Sequence, residues 1–182
     1  MMVGDRLASL INMRADEAPV QQFLMGLRET PVVRPDLMMG KVRYLYMNSG
    51  VVLVETVTTR AVVGIYLHGP GATSGAGYSG DLPHGLKFSL KRSEVRERIK
   101  PPAFSGLMGQ IHFDAWEIGR AMLRVAYNAQ ETIAFVALLP SHGGLERERR
   151  PEDRASHETE PVSAPASERD DSKGGASTSP IH

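Results

Sequence analysis

"AMLRVAYNAQETIAFVALLP", residues 121–140, decides how this chain folds. Met122–Tyr127 and Thr132–Leu139 are short runs rich in aliphatic and aromatic side chains. Asn128-Ala129-Gln130, a turn-forming triplet, separates them. So short a connection cannot carry a crossover to a parallel neighbour, so the two runs are expected to pair as an antiparallel hairpin. Upstream, Trp116–Ile118 reads as a further strand. Ser93–Ile99 reads as a charged helix that stops at Pro101-Pro102, where proline removes a donor and pushes its predecessor out of the helical region.

The same order recurs 71 residues earlier. Pro31 falls on Pro102, Val52 on Leu123, Val54 on Val125, and Val62, Ile65 and Leu67 on Ile133, Val136 and Leu138. Val20, Phe23, Leu24 and Leu27 recur at helical spacing behind Pro19. Lys41–Met47, Val51–Val57 and Ala61–Leu67 read as strands, with turns at Asn48-Ser49-Gly50 and Thr58-Thr59-Arg60. The expected fold class is therefore α+β: two tandem α-β-β-β repeats (about 18–68 and 81–140) forming one antiparallel sheet, with helices packed on one face and the other face open. Residues 69–80 are glycine-rich and read as a linker between the repeats.

The 182 residues are 41% hydrophobic and 23% charged, with a formal net charge of zero. One compact domain with a polar extension accounts for such a chain. Zero net charge supplies no general attraction to nucleic acid or to an anionic membrane, so neither is expected as a partner. The absence of cysteine excludes disulfides, thiolate metal sites and a thiol nucleophile. The N-terminus lacks the pattern of a signal peptide, and the expected location is the cytoplasm. After Pro140 aromatic residues vanish and Ser, Glu, Arg, Pro and Gly dominate. Residues 1–140 are expected to fold and 141–182 to form a disordered polar tail.

Catalytic signatures are missing. The histidines form no helical ligand pair, no Gly-x-Ser-x-Gly occurs, and the glycine-rich loop lacks the Gly-Lys-Ser/Thr of a phosphate loop. His112 and Asp114 share parity in "IHFDAW", which leaves a small pocket near His112 and Trp116 as an alternative to be tested. Arg92, Arg96 and Lys100 share a helix face. Met38 and Met39, beside Leu37, fit either an adaptable interface or ordinary core filling. No catalytic residue, metal ligand or cofactor is assigned, and the chain is expected not to be an enzyme. The residue types that dominate protein interfaces cluster on expected strands, and Arg43, Tyr44, Tyr46, Tyr66, Trp116, Arg124 and Tyr127 are the candidate partner-binding set.

Gly80, Leu82-Pro83-His84-Gly85-Leu86, Phe88, Arg92-Ser93-Glu94-Val95-Arg96, Pro102, Trp116, Leu123-Arg124-Val125-Ala126-Tyr127, Ile133, Val136 and Leu138 together resemble a pattern in small bacterial cytoplasmic proteins of the toxin-immunity kind. The tandem arrangement is similar to the architecture of the beta-lactamase inhibitor protein. The resemblance implies a non-enzymatic protein inhibitor that neutralises a cognate toxin or enzyme through its open sheet face and is monomeric when free. An adaptor acting through the tail is a further alternative.

Overall fold

The computed structural model describes residues 3–72 and 75–141. All but Ser141 of the expected tail lies outside the described residues. Three short helices, α1 (Val3–Ser9), α2 (Ala18–Gly26) and α3 (Arg92–Ile99), accompany eight strands. The strands are β1 (Val32–Asp36), β2 (Lys41–Tyr46), β3 (Val51–Thr56), β4 (Val62–His68), β5 (Phe104–Met108), β6 (Ile111–Ile118), β7 (Ala121–Tyr127) and β8 (Ile133–Pro140). They form a single sheet in the order β1-β2-β3-β4-β8-β7-β6-β5, and every neighbouring pair is antiparallel.

This corrects the expected fold class. The single antiparallel sheet is present, but the molecule is β-rich, and a pair of α-β-β-β repeats with helices packed over the sheet is not what it shows. Two strands were unforeseen, β1 and β5, and both lie at the sheet's edges. β1 contains Pro35, which lacks the N–H that an interior strand needs and is tolerated where one side of the strand is unpaired. β5, "FSGLM", carries a glycine and too short an alternation to stand out. α1 was also unforeseen, because it precedes the segments that the 71-residue offset brings into line.

The hairpin that opens the sequence argument forms β7 and β8, with Leu123 opposite Leu138 and Val125 opposite Val136. All four side chains are fully buried. Burying each is worth about 1.5–3 kcal/mol, so this pair of strands supplies much of the core. The core cluster continues through Leu53, Ile65 and Leu67 and takes in Leu7 of α1, Val20 of α2 and Val95 of α3. The Leu82–Leu86 turn, built on a 3-10 helix at Pro83–Gly85, inserts its two leucines into the same cluster. His84 has φ 55° and stays exposed, so the turn rests on Leu82, Pro83 and Leu86 rather than on the histidine.

Residues 75–80 are not a loosely hung linker. The Tyr78 N–H donates to the His68 carbonyl at 2.9 Å, and Tyr78 packs against the core. Gly77 has φ +82°, and a Cβ there would meet the Gly69 carbonyl carbon at 2.7 Å, so backbone touches backbone and only glycine fits.

Candidate ligand-binding face

Strand parity divides the sheet into two surfaces. One register row runs Val33, Tyr44, Leu53, Ile65, Leu138, Leu123, Trp116 and lies on the core side. The adjacent row runs Val32, Leu45, Val52, Tyr66, Ala137, Arg124, Ala115, Phe104 across all eight strands and lies on the opposite side. Successive residues alternate faces, so these rows fix the direction of the neighbouring side chains up to the two register shifts, at Val54/Glu55 and at Ala126/Tyr127.

The candidate partner-binding residues separate along this division. Tyr44, Tyr46, Trp116 and Tyr127 point into the core side, and Tyr46, Trp116 and Tyr127 are buried. Their polar atoms explain the placement in part. The Tyr44 hydroxyl donates to Glu55 Oε1 at 2.7 Å, and the Trp116 indole N–H donates to the Lys100 carbonyl at 3.1 Å. An amphipathic ring is at home in a core once its polar end is bonded. Arg43, Tyr66 and Arg124 remain on the opposite face.

That face is apolar over much of its width. Leu45, Val52, Val54, Val63, Tyr66 and Leu139 line a trough of about 360 Å³, with Lys41 and Arg43 at its β2 side and His68 at the end of β4. No carboxylate is among the lining residues. Arg43 has one distant acidic contact, Asp36 at 3.5 Å, and both side chains are partly solvated. Lys41 has no ion pair among the described residues. Burial lowers the His68 pKa, so the imidazole is neutral at physiological pH and the trough's positive charge belongs to Lys41 and Arg43. Beyond the trough, Phe135 contacts both Tyr66 and His68, with ring centroids 6.2 and 5.6 Å apart. The Arg124 guanidinium sits over Phe113 at 4.6 Å, with its Nε buried and unbonded among the described residues.

The strongest electrostatic feature lies on the core side. Asp114 is fully buried and accepts two hydrogen bonds from Arg92 (3.1 and 2.8 Å), two from Arg96 (both 2.8 Å) and one from Ser105 (2.7 Å). Burial alone would raise its pKa, but bonds from Arg96, Arg92 and Ser105 more than offset this and hold the carboxyl far below the ordinary range. Tyr127 has the reverse problem. Its hydroxyl is buried near the Asp114 charge yet outside bonding geometry, and burial, followed by that charge, pushes its pKa up. A permanently ionised carboxylate beside a permanently protonated phenol moves no proton near neutrality. The cluster ties α3 to β6 and makes a poor acid–base pair.

The alternative pocket at His112 and Trp116 is likewise not built. Trp116 is in the core, His112 is exposed, and Asp114 is committed to its arginines. Among the described residues no group of three or more metal-ligating side chains forms. Sequence reasoning missed Lys41, Leu45, Val52, Val54, Val63, His68 and Leu139. Lys41 and Leu45 share parity with Arg43, and His68 with Tyr66, but Val52, Val54 and Leu139 are placed only by the register between strands, and Val63 only by the register shift opposite Val54 and Glu55.

No family model matches this chain, and no curated protein matches it. Among solved structures, it is similar to an extracellular protein containing an SCP domain from Bacillus anthracis, at a TM-score of 0.53 and 12% identity, over 80% of this chain and 49% of that one. A cysteine-rich secretory protein from Staphylococcus aureus follows at a TM-score of 0.46 and 12% identity, over 74% of this chain and 44% of that one. This chain thus spans about half the length of the structures it matches. At such identity the first likeness is one of fold alone. It turns the resemblance away from immunity proteins and the beta-lactamase inhibitor protein, and nothing supports the toxin-inhibitor function expected from them. The cytoplasmic location expected from the lack of a signal-peptide pattern is not supported either, since the first of these structures is described as an extracellular protein.

Proposed function

We propose that this chain is a non-catalytic binding module whose open sheet face holds a small amphipathic carboxylate. The aliphatic body of the ligand lies along Leu45, Val52, Val54, Val63 and Leu139, and its head group meets Lys41 and Arg43. One observation carries this reading: an apolar trough of about 360 Å³ bordered by two cations, with no acid in its lining. That volume falls within the range of small-ligand sites, and the mixture of apolar floor and few polar groups is what such sites share. Charge complementarity selects the anion. An aliphatic cation of equal length would gain the same apolar contact and meet repulsion at the head.

Isothermal titration of the full chain with decanoate and dodecanoate tests the reading. Both are expected to bind, with the matched alcohol at least about tenfold weaker and the matched trimethylammonium weaker still. Lys41→Gln/Arg43→Gln is expected to erase the preference for the acid over the alcohol while leaving the fold intact. Equal affinity for acid and alcohol in the unaltered chain, or no binding of either, refutes it.

A further inference from the structure

We infer that the β1–β2 hairpin is a membrane-contacting tip that inserts Leu37, Met38 and Met39 among the lipids of an anionic bilayer. The inference goes beyond ligand binding in the trough and does not require it. These three residues form the turn between β1 and β2 and are 79, 99 and 63% exposed. They are not the core-filling methionines the sequence allowed. A run of large apolar side chains with this exposure, at the apex of a hairpin, has no partner within the described chain. Exposed Val57 joins them, because its N–H donates to the Gly40 carbonyl at 2.9 Å and draws the β3–β4 turn alongside the apex.

Charge completes the pattern. Arg34 pairs with Arg43 across the hairpin and Asp36 with Lys41, so all four share one face below the apex. Three are cations and one is an acid, and two like charges stand directly opposite each other. A pair of arginines in register is unfavourable within the protein; Asp36, 3.5 Å from Arg43, offsets it only in part, and an anionic surface that takes both relieves the rest. Lipid head groups offer that at the depth where a strand rising about 3.4 Å per residue puts Arg34 and Arg43, two residues behind Asp36 and Lys41. Zero net charge argued against a general attraction to membranes, but this charge is local, and no helix of the described chain is long and apolar enough to cross one. A symmetric contact with a second copy fits less well, since it would bring Arg34 and Arg43 against their own equivalents.

Sedimentation of the full chain with phosphatidylcholine vesicles, with and without phosphatidylglycerol, tests this. Binding is expected on the mixed vesicles and to be at least about tenfold weaker on phosphatidylcholine alone. Leu37→Ser/Met38→Ser/Met39→Ser touches only exposed side chains and is expected to keep the unfolding temperature while losing binding at least about tenfold. Met38→Trp is expected to shift its emission to the blue on the mixed vesicles, against the constant background of buried Trp116. The inference is overturned if the unaltered chain fails to sediment with anionic vesicles, binds both compositions equally, or binds as well after the triple substitution. It is also overturned if the chain sediments in free solution as a dimer that the triple substitution dissolves, which assigns the tip to a second copy. None of these results depends on decanoate binding, so the trough and the tip stand or fall separately.

Discussion

Asp114→Asn separates the structural reading of the buried cluster from any other. The side chain keeps its shape but loses its charge, and one carboxylate oxygen becomes an N–H₂ that faces arginine donors. Four arginine hydrogen bonds and one from Ser105 end on the native carboxylate. Removing one partner of a buried ion pair costs about 3–5 kcal/mol, because the surviving charge is left without compensation. Arg92 is the buried member, with its side chain 17% exposed, whereas Arg96 is 41% exposed and turns to solvent at small cost. The loss therefore falls at the lower end, about 3 kcal/mol. For a domain of this size that amounts to roughly 10 °C in unfolding temperature. Urea unfolding followed by circular dichroism gives the free energy, and a pH series supplies the second check. The folded pKa of Asp114 is depressed, so its contribution is fully present above the unfolded value near ~3.9 and is lost as pH falls toward the folded one. The unaltered chain is thus expected to lose more stability than Asp114→Asn as acid is added below about pH 4. A substitution that costs less than about 0.5 kcal/mol, or parallel pH profiles, would show that α3 is held by its apolar contacts and that the arginines gain nothing from the carboxylate.

Two further substitutions probe the scaffold. Gly77→Ala places a Cβ against the Gly69 backbone at a positive φ, and a loss of about 1–3 kcal/mol is expected by urea titration; an unchanged midpoint would mean that the loop is not held as described. Leu123→Ala empties a fully buried position between Trp116 and Leu138 and is expected to cost about 2–5 kcal/mol, while leaving the preference for decanoate over the matched alcohol in place because its side chain faces away from the trough.

The sheet was legible in the sequence wherever alternation was strong. Buried Leu123 and Val125 alternate with half-buried Met122 and Arg124, and the Asn128 side chain closes the hairpin by donating to the Thr132 hydroxyl and accepting from the Thr132 N–H. The edges were illegible for the converse reason. β1 is short, holds Pro35 and leaves Val32 and Val33 exposed, so its pattern is that of a loop with strand pairing on one side only. The Lys91–Ile99 region shows a local signal half-read. The N-cap position holds Lys91 rather than a Ser or Thr, and Glu94 satisfies the helix end instead, accepting the Lys91 N–H at 2.7 Å.

The division of the two faces was the harder problem, and its failure has a physical cause. Parity showed that Tyr44 and Tyr46 point the same way, but the core side was not settled, because both faces of the neighbouring β3 are apolar. Val51 and Leu53 belong to the core, and Val52 and Val54 do not, yet no composition rule distinguishes them. What decides is distant chain: Leu7 of α1, and Leu82 and Leu86 of the turn, settle on one side and make it the core. The polar ends of Tyr44 and Trp116 then find Glu55 and Lys100, 11 and 16 residues away, so rings expected at an interface become interior. The face left over keeps an aliphatic trough that a solitary soluble sheet would be expected to cover with polar side chains. Its cations are only lightly compensated: Lys41 has no ion pair among the described residues, Arg43 reaches Asp36 at 3.5 Å with both side chains partly solvated, and Arg124 rests on a ring rather than a carboxylate. An apolar surface edged by lightly compensated positive charge is costly to maintain in water alone, and an amphipathic anion relieves both costs at once.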